Sequence, residues 1–294
     1  HLYQIDRNNM QVIEYLADIY CETGYYRKAG KLYRLILKKK PLDRVRKKLI
    51  ETMIWQKRYK DALVLLEKAV KKGPKDFRLI ELLADVYYWS GEYEGAIAVY
   101  YRLLSFRRGS DEALFKLADA MRCSGRPGQA IELYDAYKQK FSSARAYSDQ
   151  GMSSYDKAEF GIARSLIALR RYEQALEKLM LLHFRYPQER EVSRELARDL
   201  GTTIEILASQ KKYDRARAIL EEFIAKDPRN NAARLWLARI LSWAKEYKQS
   251  IKAYDGIIEK NSHWVLPQRE RARVGPAHRG ALVPSAGWRD TSVY

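Results

Sequence analysis

The residues that could assemble a metal centre or a nucleophile–base pair are few and scattered. The chain has four histidines, His1, His183, His263 and His278, and two cysteines, Cys21 and Cys123. None has a companion at zinc-ligand spacing. No Ser/His/Asp or Cys/His set can be placed, because each candidate falls where helix packing already accounts for it. Gly24-Tyr-Tyr-Arg-Lys-Ala-Gly30-Lys31 has the outline of a phosphate-cradling loop. It separates its glycines by five residues instead of four, Leu32 replaces the hydroxyl residue, and no strand precedes it. Carboxylates abound, but on solvated helices they read as surface charge. The expectation is a chain without catalytic residues, metal ligands or cofactor.

The elements behind these residues repeat. An aromatic-x-x-small phrase recurs at Tyr26–Ala29, Tyr59–Ala62, Tyr93–Ala96, Tyr172–Ala175, Tyr213–Ala216 and Tyr247–Ser250, and Pro127–Ala130 keeps only the alanine. The small residues follow one another at 33, 34, 34, 45, 41 and 34 residues. Twelve residues before each stands Ala17, Ile50, Ala84, Ala118, Ala163, Ile204 or Ala238, and four after stands Tyr33, Leu66, Tyr100, Tyr134, Leu179, Leu220 or Tyr254. Pro41, Pro74, Pro187 and Pro228 follow four of the phrases by twelve residues. Small residues at both marks let two antiparallel helices approach closely, Gly24, Gly91 and Gly125 mark the turns between them, and proline cannot continue the second helix. Within each half, apolar residues keep the spacing of one helical face, as in Ile13, Leu16, Ala17 and Tyr20.

At these residues the chain resembles the tetratricopeptide repeat family: the 34-residue period, the paired small residues, the tyrosine opening the second helix and the closing proline all match. The resemblance implies an all-α fold, a right-handed α-solenoid of antiparallel helix hairpins (a tetratricopeptide superhelix). Units are expected at 10–42, 43–76, 77–110, 111–144, 156–189, 197–230 and 231–264, with residues 1–9 closing a preceding, truncated repeat. The long spacings leave extra residues near 145–155 and 190–196, the second reading as a lengthened first helix. Residues 265–294 form a partial repeat and an irregular tail: Val265 to Arg273 fits a further first helix, and Gly275, Pro276, Gly280 and Pro284 should break it. That tail is a cap, a segment without fixed structure, or a product of where the reading frame ends.

The resemblance also implies that first helices line a concave groove and second helices form the convex back. The ninth position of successive first helices then reads Asp18, Glu51, Asp85 and Asp119, followed by Arg164, Glu205 and Arg239. Near the four acids fall Glu14 and Glu81, with Trp55, Tyr88, Trp89 and Phe115. As a partner-binding groove this set would take a basic protein or peptide segment, with the aromatics offering stacking or cation–π contacts. Alternatively, neighbouring lysines and arginines balance the acids and the tryptophans pack between repeats.

Composition adds bounds. Net charge is +18, aromatic residues are 12% with 22 tyrosines, and only 8 prolines and 15 glycines interrupt the chain. Tyrosine suits thin layers where rings are half-buried and hydroxyls stay wet. The positive excess lies on the second helices and following loops, from Lys28 to Lys40 and from Lys57 to Lys75. It is either a solvated face or a docking surface for acidic protein, anionic lipid or nucleic acid. Nucleic acid is disfavoured, because exposed aromatics do not clearly interleave with the basic residues. No apolar run approaches the ~20 residues of a membrane span. The expected function is a non-enzymatic scaffold for protein–protein interaction; its rival is direct binding of an anionic polymer or nucleic acid by the basic back. The stretch from Arg234 to Ser250 is also similar in texture to bacterial exported tetratricopeptide proteins of exopolysaccharide secretion. That likeness implies the periplasm of a Gram-negative bacterium and, as partner, a cationic polysaccharide or a basic enzyme.

Overall fold

The computed structural model describes residues 9–72, 76–106, 111–140 and 151–278, with side chains to Val274. The described residues are helical and contain no strand. The chain divides into two compact units, residues 1–146 and 147–294, and the break falls in the first of the two long spacings. The tail beyond 278, Pro74 and most of the stretch near 145–155 lie outside the described residues.

The first unit consists of α1 (Met10–Glu22), α2 (Tyr26–Lys39), α3 (Asp43–Trp55), α4 (Tyr59–Lys72), α5 (Phe77–Trp89), α6 (Tyr93–Phe106), α7 (Asp111–Cys123) and α8 (Pro127–Gln139). The second consists of α9 (Ser154–Ala168), α10 (Tyr172–Arg185), α11 (Arg190–Ser209), α12 (Tyr213–Lys226), α13 (Asn231–Trp243), α14 (Tyr247–Lys260) and α15 (Val265–His278). Within each unit consecutive helices pack as antiparallel hairpins, the expected solenoid arrangement. Four first helices start on a side chain that caps a free backbone N–H: Asn9, Asp76, Ser153 and Asn230.

Every hairpin turns the same way. In the first, Gly24 N–H donates to Cys21 and Tyr25 N–H reaches back to Tyr20 at 2.7 Å, the paired bonds that close a helix on a left-handed residue. Gly24, Gly91 and Gly125 hold that position at φ near 80°, where a side chain is costly. Lys57, Arg170, Lys211 and Lys245 hold it in four other hairpins, at φ 57–66°, without the glycine. One boundary differs from expectation. The last helix runs through Gly275 and Pro276 to His278, because a proline near a helix end forfeits one backbone bond without undoing those before it.

The small marks sit at the helix crossings. Ala17, Ala29, Ala62, Ala84, Ala96, Ala118, Ala130, Ala163, Ala175, Ala216 and Ala238 are completely buried. Ser250, the one hydroxyl among the marks, is buried too and donates to the Ala238 carbonyl at 2.8 Å, so the two marks of that hairpin touch. Five residues before the first-helix mark, buried apolar residues recur: Val45, Leu79, Ala113, Ala158 and Ala233. One residue before it stand Leu49, Leu83, Leu117 and Ile162, also buried. On α11 these two places hold Asp199 and Thr203, both 2% exposed. Neither side chain has a hydrogen-bond partner among the described residues. Burial, then the neighbouring Glu195 carboxylate, pushes the Asp199 carboxyl up to about 7. The extra length of α11, 20 residues against 13 in α13, lies at its N-terminal end, as the spacing of 41 implied.

Candidate interaction face of the first helices

The expected site lies on α1, α3, α5 and α7, all in the first unit. Asp18, Asp85 and Asp119 each accept a hydrogen bond from the tyrosine hydroxyl of their own hairpin: Tyr33 at 2.6 Å, Tyr100 at 2.6 Å and Tyr134 at 2.7 Å. The rings are buried while the hydroxyls reach the half-buried carboxylates, so each bond ties second helix to first. Burial, with the Asp85 hydrogen bond, drives the Tyr100 hydroxyl far above the usual phenol range. The tyrosine therefore stays a donor at every physiological pH.

Lysines from the next first helix complete the arrangement. Lys48 places its ammonium 2.7 and 2.8 Å from the Asp18 oxygens and 3.2 Å from Glu14, and Arg44 holds the other Glu14 oxygen at 2.8 Å. Lys116 spans Asp85 at 3.0 Å, Glu81 at 3.3 Å and Glu112 at 3.2 Å. Burial alone would lower the pKa of both ammonium groups, but the hydrogen bonds to Asp18 and Glu14, and to Asp85, outweigh it and raise them. Asp119 is held by Arg122 of its own helix at 2.9 Å. A hydrogen bond to a charged group contributes about 1.5–3 kcal/mol net when shielded, against about 0–1 kcal/mol for a fully exposed pair. These half-buried clasps fall between, and they fix successive hairpins in register.

The ten expected site residues therefore separate. Glu14, Asp18, Glu81, Asp85 and Asp119 are engaged internally. Their counter-charges are Lys48, Lys116, Arg44 and Arg122; Lys47 instead pairs with Asp76 at 3.1 Å. Phe115 packs on Tyr134 and Tyr137, with ring centroids 5.5 and 5.3 Å apart, as part of the hairpin core. Tyr88 sits edge-on to Tyr93, its hydroxyl 3.7 Å from the Cys123 sulfur. Three residues stay open. Glu51 is exposed and has no polar partner among the described residues. Trp55 is 68% and Trp89 47% exposed. Each ring lies against the opening tyrosine of the preceding second helix, Trp55 stacked on Tyr26 at 6.2 Å and Trp89 tilted against Tyr59 at 6.5 Å.

Lys48 and Lys116 are the functional residues that position counting overlooked. Their signal was present: they stand 30 and 31 residues after the carboxylates they hold. His183 and Ser193 are a contact that spacing could not reveal, with Nδ1 3.0 Å from Oγ. Ser193 Oγ also donates to the Glu189 carbonyl of its own helix at 3.2 Å, and burial lowers the pKa of His183. That is a packed helix serine beside a neutral ring. Among the described residues no group of His, Cys, Asp and Glu could hold a metal ion, and no helix is long and apolar enough to cross a membrane.

The family model described as tetratricopeptide repeat matches residues 53–105 and 207–264, one stretch in each unit. These two stretches are tetratricopeptide repeats. Comparison with curated proteins finds no match. Among solved structures, a tetratricopeptide repeat protein from Parabacteroides merdae ATCC 43184 is similar over 90% of this chain and 98% of that one, with TM-score 0.55 and 15% identity. A chain in the structure of Naa15/Naa10 bound to HypK-THB is similar over 93% of this chain and 40% of its own length, with TM-score 0.57 and 14% identity. A Podosopora anserina putative kinesin light chain with nearly identical repeats covers 60% of this chain and 93% of its own, with TM-score 0.50 and 17% identity. At such identities the likeness is one of fold. The fold is consistent with a protein-interaction scaffold, and no enzymatic family is indicated.

Proposed function

We propose that this repeat chain is a non-enzymatic scaffold that holds a protein or peptide segment on the first-helix face of its first unit. The observation that carries the reading is the pair Trp55 and Trp89, two large rings left open at successive repeats beside the unpartnered Glu51. Tryptophan is among the residues enriched at the hot spots of binding surfaces. The internally clasped Asp18, Asp85 and Asp119 give the face shape and a fixed polar edge. Glu51, one turn before Trp55, supplies the free negative charge, so the segment is aromatic or aliphatic with a basic residue next to its anchor. Glu14 and Glu81 are clasped by Lys48, Arg44 and Lys116, and Tyr88 and Phe115 pack on neighbouring tyrosines.

Panning a displayed random-peptide library against the protein, then measuring synthetic peptides by calorimetry, tests the proposal. Enriched peptides should carry an apolar–basic signature and lose at least about 30-fold in affinity for Trp55→Ala or Trp89→Ala, the equivalent of ~2 kcal/mol. Glu51→Lys should cost less and reverse the preference for basic residues. Enriched peptides that bind both tryptophan variants as well as the parent would refute it.

A further inference from the structure

The cations of α3 are all paired (Arg44 with Glu14, Arg46 with Asp43, Lys47 with Asp76 and Lys48 with Asp18), whereas unpaired lysines gather on the second helices α2 and α4. Lys31 and Lys38 on α2, with Lys60, Lys68, Lys71 and Lys72 on α4, are exposed, and none has an ion-pair partner among the described residues. Helix α2 carries no carboxylate at all. The two on α4 are occupied: Asp61 pairs with Arg58 at 2.6 Å, and Glu67 accepts the Tyr87 hydroxyl at 2.6 Å. That last bond, then burial, raises Tyr87 to about 12. Lysines in the last turn complement the helix dipole, which accounts for Lys38, Lys71 and Lys72. It does not account for Lys31 and Lys68, which stand in mid-helix.

Exposed apolar side chains stand on α4 and on the next second helix. Val64 of α4 is 53% exposed, and on α6 Tyr101 and Phe106 are 51% and 54% exposed. Arg102 lies over the Phe106 ring at 5.8 Å. Lysine is a strongly hydrated point charge on a flexible stem, suited to a diffuse layer of negative charge and poorly suited to bidentate reading of single phosphates. Single-stranded nucleic acid would need rings interleaved with the lysines along the face. Here the exposed rings of the second helices are Tyr25, under Lys28 at the start of α2, and Tyr101 and Phe106 on α6, and α4 with its four lysines carries no exposed ring. Stable attachment to a bilayer surface takes two signals, charge and an apolar contact, and this face has both.

We propose that the second-helix face of α2, α4 and α6 docks on an anionic membrane surface, the lysines over the lipid headgroups and Val64, Tyr101 and Phe106 at the headgroup–acyl boundary. The first-helix face stays free for the partner in this orientation, because the two faces belong to different helices.

Vesicle co-sedimentation with the whole protein tests this. Vesicles of 30 mol% phosphatidylserine in phosphatidylcholine, pure phosphatidylcholine vesicles, a 20-nucleotide single strand and poly-glutamate serve as four probes at ~0.1 M salt. Binding to the phosphatidylserine vesicles alone is expected. At about tenfold per one to two lysines, Lys31→Gln/Lys38→Gln/Lys68→Gln/Lys71→Gln should weaken it at least ~100-fold. Tyr101→Ser/Phe106→Ser should weaken it about tenfold while leaving its salt dependence intact. Neither set touches an ion pair among the described residues, and unchanged circular dichroism melts would confirm that the fold is kept. Equal sedimentation with both vesicle types, full binding by the lysine variant, or tighter binding to the oligonucleotide or poly-glutamate would each overturn the proposal.

Discussion

Replacing Asp199 by alanine should stabilise the second unit, and by more at pH 8 than at pH 5. Alanine is the residue at the same place on α7, α9 and α13. The Asp199 carboxyl is buried without a hydrogen-bond partner, and its pKa is raised from 3.8 to about 7. The folded state therefore holds this proton more tightly than the unfolded chain. The neutral acid is tolerated below pH ~4, and stability is lost as pH rises from there through 7. Each pH step of one between the unfolded and folded pKa values is worth ~1.4 kcal/mol. The full loss is then about 4 kcal/mol, of which roughly 2.5 kcal/mol develops between pH 5 and pH 8. Allowing half for solvent that reaches the polar flank of the helix leaves about 1 kcal/mol as the smallest difference expected. Urea unfolding followed by circular dichroism, with parent and Asp199→Ala compared at both pH values, measures it directly. If the gain on substitution is the same at pH 5 and pH 8, the carboxyl is not titrating in a buried seam and the account of α11 fails.

Two other outcomes follow from the same structure. Lys57→Gly, Arg170→Gly, Lys211→Gly and Lys245→Gly relieve a left-handed backbone that costs a side chain about 1–2 kcal/mol, against about 0.5–1 kcal/mol of extra chain entropy in the unfolded state; each should gain about 0.5–1 kcal/mol in a thermal melt, and Gly24→Lys should lose a similar amount. Arg239 and Glu270 form a buried pair, 2.6 Å apart, with Tyr254 donating to Glu270 at 3.1 Å. Arg239→Met alone should cost about 3–5 kcal/mol by stranding the carboxylate, whereas adding Glu270→Leu should recover most of it, as urea denaturation of single and double variants would show.

Periodicity made the hairpins legible, because each repeat must bury the same crossing and only small residues fit there. The marks at Ala62, Ala96 and Ala216 followed from that requirement, and so did the turns at Gly24, Gly91 and Gly125. The four lysine and arginine turns were not legible, since nothing in those residue types announces a left-handed backbone. The candidate face was half legible. Counting along the first helices found Asp18, Asp85 and Asp119 but left open whether they form a free stripe or are balanced by neighbouring cations. The tyrosine 15 residues later, which recurs at Tyr33, Tyr100 and Tyr134, was counted as packing, and its hydroxyl was left out. Lys48 and Lys116 were missed because their partners lie one repeat away.

What the sequence settled unaided is the set of interactions that repeat at one spacing: helix pairing, crossing points and family. Those depend on local geometry, which is the same wherever the phrase occurs. The ionisation and freedom of individual side chains were decided only by the tertiary structure. Whether a carboxylate is clasped like Asp85, stranded like Asp199 or open like Glu51 depends on which residue of a neighbouring helix arrives within hydrogen-bonding reach, and a chain read in one dimension does not hold that distance.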